Sequence, residues 1–445
     1  MQGRTSDPAG LPAGEGHLLA IDLGATNTVA LIRRPDGQTR PLLFDGEPVL
    51  PSGVLIEPDG TVRVGRDAGQ RAPLDPAGFE PAPRQRIAEP AIQLGDRKTT
   101  PAELLASLLT EVAAAAIDAL GFLPPAVLTH PADWGVAEQA TLQWAAERAG
   151  FPPVALMPEP IAAASGRPVP VGARLAIVDV GARGFDVAVV QRVGDDFVLL
   201  ATGGDRTVGG RRVDAAIAVH LAGTTGRHQR EIWQPIDRPR DAEQRRLQRA
   251  FWDEVRCAKE MLSRAATAPV LVPGLVDPVT LRRDDLDRLA RPLVERVARV
   301  TKRVLRDAHV KPSELDTVLL IGGSARLAVL GSTLRRAFAI EPTPIEQPEL
   351  AVAAGALDRV AGRPAARGGP EEARTALALP APPRRPALLP PVRAGLPALR
   401  RAADVAVPAV TTGSGERPRD WRRYWWAVAA VVLMLIGVAL VVGRF

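Results

Sequence analysis

Two aspartates follow apolar runs of the same pattern, and a glycine stands two positions after each of them. The first is Asp22 in LAIDLGATNT, and the second is Asp179 in AIVDVGARG. A hairpin turn that contains glycine exposes consecutive backbone N–H groups, which form a nest for an anion such as phosphate. An aspartate beside such a turn repels phosphate, but it can hold Mg²⁺ that bridges to the phosphates. Two such units that face each other predict a two-sided clamp for phosphate and metal.

Alternating strands and helices must position these residues. HLLAIDLGATNTVALIRR predicts a strand, a tight turn and a strand, and LAIVDVGARGFDVAVVQRV predicts the same arrangement about 160 residues later. DTVLLIGGSARLAVLGSTLRRAF predicts a strand, a glycine turn and a helix. The likeness of the first two units indicates an internal duplication, with one copy in each of two lobes of an α/β protein.

Six segments in this order resemble the nucleotide-binding domain of the DnaK-type heat-shock chaperone (Hsp70) family, within the actin and sugar-kinase superfamily. They are IDLGATNT, AVLTHPADWGVAEQATLQWAAERAG, MPEPIAAA, VDVGARGFDVAVV, GGDRTVGGRRVDAAI and IGGSARL, between about residues 18 and 361. The resemblance implies a bilobed actin-like ATPase fold with duplicated mixed β-sheet subdomains over residues 17–362, and it implies ATP or ADP with Mg²⁺ as the ligand. No segment resembles the peptide-binding domain of the family.

The family motifs assign roles to individual positions. Asp22 and Asp179 would organise Mg²⁺, with Asp179 also catalytic beside Glu159 and Arg84; Glu159 matches the carboxylate near the attacking water, and Arg84 falls near the catalytic Lys. The other residues implied to contact the nucleotide are Gly24, Ala25, Thr26 and Asn27 in the first loop, Gly181, Ala182, Arg183 and Gly184 in the second, Gly209 and Gly210 after it, Arg256, Lys259 and Ser263 on the ribose-contacting helix, and Gly322, Gly323, Ser324 and Arg326 in the adenine-contacting loop.

The second loop departs from the family pattern Gly-Gly-Gly-Thr. It reads Gly181, Ala182, Arg183 and Gly184, so the Thr hydroxyl that would serve the γ-phosphate is absent. A Cβ in place of a glycine opens the turn if φ is positive; alternatively, Arg183 places a guanidinium on the phosphates. Arg84 also differs from Lys in shape and hydration. We therefore expect slow or absent hydrolysis, and we expect Ala182→Gly, Arg183→Gly and Gly184→Thr together to raise the rate.

Each of these residues also has a purely structural interpretation. Asp22 and Asp179 could cap turns, and Glu159 could be a solvated residue at a helix start next to Pro160. His130 is expected to be structural, and two tryptophans, at positions 134 and 144, are expected to pack. The single cysteine, Cys257, excludes an internal disulfide and is expected to be a small core residue.

The basic character of the chain belongs to its C-terminal part. The net charge is +6, but residues 363–445 contain 13 Arg against 5 Asp or Glu. This distribution argues against a nucleic-acid-binding domain, which would carry its cations on a folded face. Residues 363–420 are rich in Pro, Ala and Arg and predict a disordered, extended linker near an anionic membrane surface. Residues 1–16 are polar, lack the apolar region of a signal peptide and predict a disordered leader.

Residues 421–445 predict a C-terminal transmembrane anchor. Trp425–Val442 contains no charged side chain, and its 18 residues would span roughly 27 Å as a helix. Four Arg precede the span and only Arg444 follows it, so the nucleotide-binding domain would be cytoplasmic, on a single-pass protein of the cell membrane. The alternative is a buried C-terminal helix, which the lack of amphipathic character disfavours.

The sequence therefore favours a membrane-tethered nucleotide switch whose lobe closure is read by an unknown protein partner. Two other classes stay open: an active slow ATPase or small-molecule kinase of the same superfamily, and a scaffold that binds no nucleotide.

Overall fold

The structure is a computed structural model, and it describes residues 16–225, 230–343 and 345–361. The predicted leader (apart from Gly16), the linker at 363–420 and the anchor at 421–445 lie outside these residues. Within the described ranges, no helix is both long enough and apolar enough to cross a membrane.

Short strands and three helices alternate in the first part of the described chain. These elements are β1 (Leu18–Leu23), β2 (Asn27–Arg33), β3 (Thr39–Pro41), β4 (Leu50–Pro51), β5 (Val54–Ile56), β6 (Val62–Val64), α1 (Gly65–Arg71), β7 (Phe79–Glu80), β8 (Ile92–Leu94), β9 (Arg97–Thr99), α2 (Pro101–Leu120), β10 (Ala126–His130), α3 (Val136–Arg148) and β11 (Ala155–Pro158).

Longer helices separate the strands of the second part. These elements are α4 (Glu159–Ser165), β12 (Arg174–Val180), β13 (Phe185–Val193), β14 (Asp196–Asp205), α5 (Gly210–Thr224), α6 (Arg230–Asp237), α7 (Ala242–Met261), β15 (Thr267–Val270), β16 (Val279–Arg282), α8 (Arg283–Asp307), β17 (Thr317–Ile321), α9 (Ala328–Phe338) and α10 (Ala351–Ala361). The predicted hairpins are β1–β2 and β12–β13, and the predicted strand–turn–helix is β17 and α9.

The two main sheets repeat one topology. In the first, the strand order is β11-β10-β1-β2-β3, with β1 and β2 antiparallel and β10 parallel to β1. In the second, the order is β14-β13-β12-β17, with β12 and β13 antiparallel and β17 parallel to β12. A single parallel bridge between Leu319 and Thr343 continues the second sheet beyond β17, where the first sheet has β11. The predicted duplication is confirmed at the level of topology.

The alternation of side chains along a strand directs both aspartates to the same region. On β1, Leu19 and Ile21 pack into the core of the first sheet, whereas Ala20 packs into a third core that contacts both sheets. Asp22 has the parity of Ala20, so it lies on the face toward that third core. On β12, Ile177 packs into the third core, and Asp179 shares its parity. The period-two pattern therefore brings the two carboxylates to one region between the sheets.

The third core depends on a close crossing of two helices. α4 and α10 pack together there through alanines and glycines, including Ala162, Ala163, Ala353 and Ala356. A Cβ on Gly355 would lie 1.9 Å from the carbonyl oxygen of Ala162, so this position of α10 admits no side chain. The small residues permit the close approach of these two helices between the sheets.

Candidate functional site

A cleft of about 300 Å³ lies where β1 and β12 end. Most of the residues that the sequence singles out line it: Asp22, Gly24, Ala25, Thr26, Asn27, Arg84, Glu159, Asp179, Gly181, Ala182, Arg183, Gly184, Arg256, Lys259, Gly322, Gly323 and Ser324. Gly209, Gly210, Ser263 and Arg326 do not line it. The structure brings the predicted residues together, and their roles toward a ligand stay predictions.

A cluster of carboxylates forms one wall of the cleft. Burial and the negative charge of Glu159 raise the pKa of Asp22 to about 7 and that of Asp186 to about 6. Burial, Glu159 and Asp186 raise the pKa of Asp179 well above its ordinary value. Thr129 on β10 donates a hydrogen bond of 3.1 Å to Oδ1 of Asp22. The cluster holds more negative charge than its surroundings compensate.

Asp186 was missed by motif reasoning, although its position could have been derived. In the β12–β13 hairpin it lies directly opposite Asp179. Directly opposite residues of an antiparallel pair point to the same face, so the hairpin register places both carboxylates toward the cleft.

Arg84 and Glu159 form an ion pair at the side of the cluster. Nη1 of Arg84 contacts Oε1 of Glu159, and both side chains are largely buried. Although burial alone lowers it, the carboxylates of Glu159 and Asp22 raise the pKa of Arg84 above its ordinary value. Glu159 is the first residue of α4, directly after β11. The structural alternative, in which Glu159 is a solvated residue at a helix start, is therefore wrong.

The first glycine loop is fixed by a residue outside the motif. Oγ of Ser52 donates a hydrogen bond of 2.8 Å to the carbonyl oxygen of Gly24. The backbone N–H of Ser52 donates a second one, also of 2.8 Å, to the carbonyl oxygen of Thr26. A Cβ on Gly24 would lie 2.2 Å from the carbonyl oxygen of Asn27, so this turn requires glycine.

The second loop is held by the start of α5. The N–H of Gly210 donates a hydrogen bond of 3.0 Å to the carbonyl oxygen of Gly181. The N–H of Arg211 donates one of 2.8 Å to the carbonyl oxygen of Ala182. Gly209 and Gly210 therefore support the loop from behind instead of facing the cleft. Neither Ala182 nor Arg183 has a positive φ, so their side chains do not strain the turn.

Gly184, in contrast, cannot carry a side chain without a backbone shift. A Cβ there would lie 2.7 Å from Cα of Arg206 and 2.9 Å from the carbonyl oxygen of Asp205. Placing Thr at this position therefore demands movement of the end of β14. The expectation that the rebuilt family loop raises turnover stays a prediction, and the contacts at Gly184 show that the variant must also shift the backbone near Asp205 and Arg206.

The third loop is joined to the second. Oγ of Ser324 donates 3.2 Å to the carbonyl oxygen of Gly181. Gly322 has φ of +81°, and a Cβ on it would lie 2.3 Å from Oδ1 of Asp179. Arg326 turns away to an ion pair with Glu349 at 2.8 Å, and Glu349 is the member of that pair that lines the cleft.

Lys259 on α7 is engaged inside the protein. Its Nζ lies 2.6 Å from Oδ1 of Asp214 on α5, and both residues are buried. Asp214 lines the cleft; the segment GGDRTVGGRRVDAAI contains it, but it was not predicted as a site residue, and its pairing with a lysine 45 positions later has no local signal. Ser263 follows the end of α7 and lies outside the lining.

Cations form the other part of the lining. Arg206 and Arg211, which motif reasoning missed, join Arg183 and Arg256 there. Nη2 of Arg206 lies 2.6 Å from Oδ2 of Asp133, and Nη2 of Arg256 lies 3.2 Å from Oδ1 of Asp253. The cleft therefore combines a carboxylate wall with several guanidinium groups.

Of the residues that were predicted to be structural, some are buried as expected and others are exposed. His130 is buried, and its Nδ1 lies 2.8 Å from the carbonyl oxygen of Pro131 while its ring stacks on Trp134. Trp134 belongs to the first core, as predicted. Trp144 is exposed, and so is Cys257 on α7; the expected packing of both was wrong.

The residues present fit a magnesium nucleotide. The raised pKa values of Asp22, Asp179 and Asp186 mark a site that a cation would stabilise, and three glycine loops line the same cleft. Among the described residues, no three His, Cys, Asp or Glu side chains converge closely enough to hold a metal ion.

The duplicated sheets and the three-loop cleft define a nucleotide-binding domain of the actin-like ATPase superfamily. The family profile described as Hsp70 protein matches residues 84–360, more than half of the chain. The chain belongs to the Hsp70 family.

Curated relatives agree with this assignment. The Chaperone protein HscA homolog of Burkholderia multivorans (strain ATCC 17616 / 249) is 31% identical over 381 residues, and that of Burkholderia pseudomallei (strain 668) is 32% identical over 381 residues. In both cases the match covers 79% of this chain and 59% of the relative. The chain therefore spans about three-fifths of the length of these relatives.

Proposed function

We propose that this chain binds Mg·ATP or Mg·ADP between its two lobes and acts as a conformational switch for a protein partner, with weak or absent ATP hydrolysis. One observation carries the proposal: three glycine loops from distant parts of the sequence meet at a single cleft that also holds a carboxylate cluster and several guanidinium groups. Backbone N–H groups and cations suit phosphate, and carboxylates suit Mg²⁺.

Different residues of the cleft would contact the metal ion and the phosphates. Asp22 and Asp179 would organise the magnesium ion through its waters, with Asp186 opposite Asp179 adding negative charge, and the ion would neutralise phosphate charge when bound. The loop Gly24–Asn27 would approach the phosphates by its backbone. Ser324 joins the loop beneath the nucleoside to the second phosphate loop, so that closure of one affects the other.

Two features support weak hydrolysis. The second loop offers no hydroxyl for the γ-phosphate, since Gly184 stands in the place of Thr. The carboxylate of Glu159, the residue that would orient a water, is engaged by Arg84. A base that is already hydrogen-bonded to a guanidinium is a poorer acceptor for a proton.

Contacts across the cleft support the switch. Asp133 follows β10 of the first sheet and Arg206 follows β14 of the second, and their side chains meet at 2.6 Å. On α7, Nε of Arg245 donates 2.5 Å to the carbonyl oxygen of Pro73, just after α1. These polar contacts would break when the lobes separate, so a ligand that favours closure would shift the population toward this arrangement.

Isothermal titration calorimetry of the full-length chain in mild detergent tests the nucleotide. We expect saturable binding of Mg·ATP and Mg·ADP, weakened at least tenfold by Asp22→Ala and unchanged by Asp96→Ala, an exposed aspartate outside the cleft. No heat at millimolar nucleotide would leave only the scaffold alternative. Turnover on the order of 10 per second, usual for metabolic enzymes, would favour the ATPase or kinase alternative.

The partner and the tether complete the proposal. The relatives are chaperones by name, which supports a protein partner, although that name applies to longer chains. The sequence of residues 421–445 supports attachment to the cell membrane with the nucleotide-binding domain in the cytoplasm.

A further inference from the structure

The tip of the second phosphate loop carries a guanidinium without a partner. Nε and Nη2 of Arg183 are buried, and within the described residues neither has a hydrogen-bond acceptor. Arg183 nevertheless lines the nucleotide cleft. A buried donor without an acceptor loses its hydrogen bonds to water and gains none in the protein, so these two nitrogens destabilise the protein without ligand. Residues of this kind are expected where a ligand supplies the missing partner.

The charges around Arg183 also lack compensation. Burial and the positive charge of Arg211 lower the pKa of Arg183 to about 10, so the group stays protonated at neutral pH. Burial and the positive charge of Arg256 lower the pKa of Arg211, although the carboxylate of nearby Asp214 acts to raise it. Asp214 is already engaged by Lys259. The carboxylate that acts on Arg183 is Glu80, and Glu80 is already paired with Arg86. The neighbouring guanidinium groups of Arg183 and Arg211 therefore form a position that an anion would stabilise.

We propose that Arg183 donates its two unpartnered nitrogens to phosphate oxygens of the bound nucleotide, and that it thereby replaces part of the charge neutralisation that the metal ion would otherwise provide. The inference rests on the proposed nucleotide site. It assigns to this chain a fixed cation on the loop where the family pattern has only glycine and threonine. The consequence is residual binding of ATP without Mg²⁺, and this residual binding depends on position 183.

Calorimetry of the full-length chain with ATP, in Mg²⁺ and again in excess EDTA, separates the possibilities. We expect Arg183→Ala to lose at least tenfold affinity in EDTA and less in Mg²⁺, because the ion then shares the phosphate charge. Arg183→Lys should recover only part of the loss, since an ammonium cannot form two parallel bonds. Arg212→Ala is the matched control, an exposed arginine of α5 outside the cleft.

A melting curve without nucleotide distinguishes a binding role from a structural one. Removing an unpaired buried guanidinium should leave the Tm unchanged or raise it, whereas loss of a structural residue should lower it. If the unaltered chain binds ATP and Arg183→Ala binds it equally in EDTA, or melts several degrees lower, the role of Arg183 is refuted while the nucleotide site stands. If the unaltered chain binds no nucleotide even with Mg²⁺, the proposed function itself fails.

Discussion

Individual side chains set the charge balance of the cleft. Three aspartates whose pKa values are raised share one wall with Glu159, and Arg84 is the cation paired with that glutamate. Ionisation of each of these aspartates is less favourable in the folded protein without ligand than in the unfolded chain, because burial removes water without supplying a full counter-charge. The site is therefore organised for a cation at the expense of the stability of the unliganded state.

Asp22→Asn should increase the free energy of unfolding of the protein without ligand, by an amount that depends on pH. The folded pKa of about 7 lies above the ordinary value of 3.8, so the native state binds the proton more tightly, and the stability due to Asp22 falls as pH rises between those values. Near pH 8 the variant should be more stable by about 1–3 kcal/mol, a range reduced for the contact of Asp22 with water in the cleft. The difference should be smaller near pH 5 and should approach zero only below about pH 3.8, where Asp22 is protonated in both states.

Thermal melting without nucleotide at both pH values measures the effect. Asp96→Asn, at an exposed turn, provides the control and should show the same small difference at each pH. A gain for Asp22→Asn that does not change with pH would show that its carboxylate does not titrate in this range.

At the scale of elements, the crossing of α4 with α10 positions the two halves of the cleft. Glu159 begins α4, and Val352 of α10 lines the cleft, so any displacement at the crossing reaches the site. Three alanines of α4, at positions 162, 163 and 164, are fully or almost fully buried there. The approach of the two backbones leaves no room for adjustment by side chains.

Gly355→Ala should therefore destabilise the protein. The new Cβ would lie 1.9 Å from the carbonyl oxygen of Ala162 and 3.1 Å from the backbone N of Gly166, so the helices must separate. Overpacking of this kind costs about 1–3 kcal/mol. Equilibrium urea unfolding measures it.

Gly223→Ala is the matched control for this change. Gly223 lies in the last turn of α5 with nothing within 4 Å of its added Cβ, and glycine is a poor helix former. Alanine there should stabilise by roughly 0.5–1 kcal/mol. Equal effects of the two substitutions would mean that the crossing is looser than the structure has it.

At the scale of the whole molecule, the chain joins an Hsp70-type nucleotide-binding domain to a C-terminal part of different composition. The family profile ends at residue 360, and the Arg-rich segment begins at residue 363. The proposed switch would then act near a membrane surface, with its position set by the tether.

Deletion of residues 421–445 should release the protein into the soluble fraction. As a helix in the bilayer, the uncharged span Trp425–Val442 would satisfy its own backbone hydrogen bonds, and a charge placed there, as in Leu435→Arg, should cost roughly 3 kcal/mol of insertion. Carbonate washing of membranes, followed by protease treatment of intact cells, measures attachment and orientation. A protein that washes off, or whose nucleotide-binding domain is cut from outside, would contradict the anchor or its direction.

The sequence alone determined the local units of the site. Alternation in β1 and β12 sets the face of Asp22 and Asp179, and glycine is required at 24 and 322 because those turns leave no space for a Cβ. The alternation and the turn at Gly24 are local, since each depends on residues within one hairpin. The positive φ of Gly322 is local as well, whereas its close approach to Asp179 is a product of tertiary packing. The family pattern then placed the units in order and predicted the duplicated fold.

The tertiary structure alone decided which distant groups meet. It pairs Lys259 with Asp214, fixes the first loop through Ser52 and, among the residues that the structure describes, leaves two nitrogens of Arg183 without a hydrogen-bond partner. It also exposes Cys257 and turns Arg326 to Glu349. No local pattern encodes these outcomes, because pairing, burial and isolation of a side chain depend on elements that come together only when the sheets and helices pack.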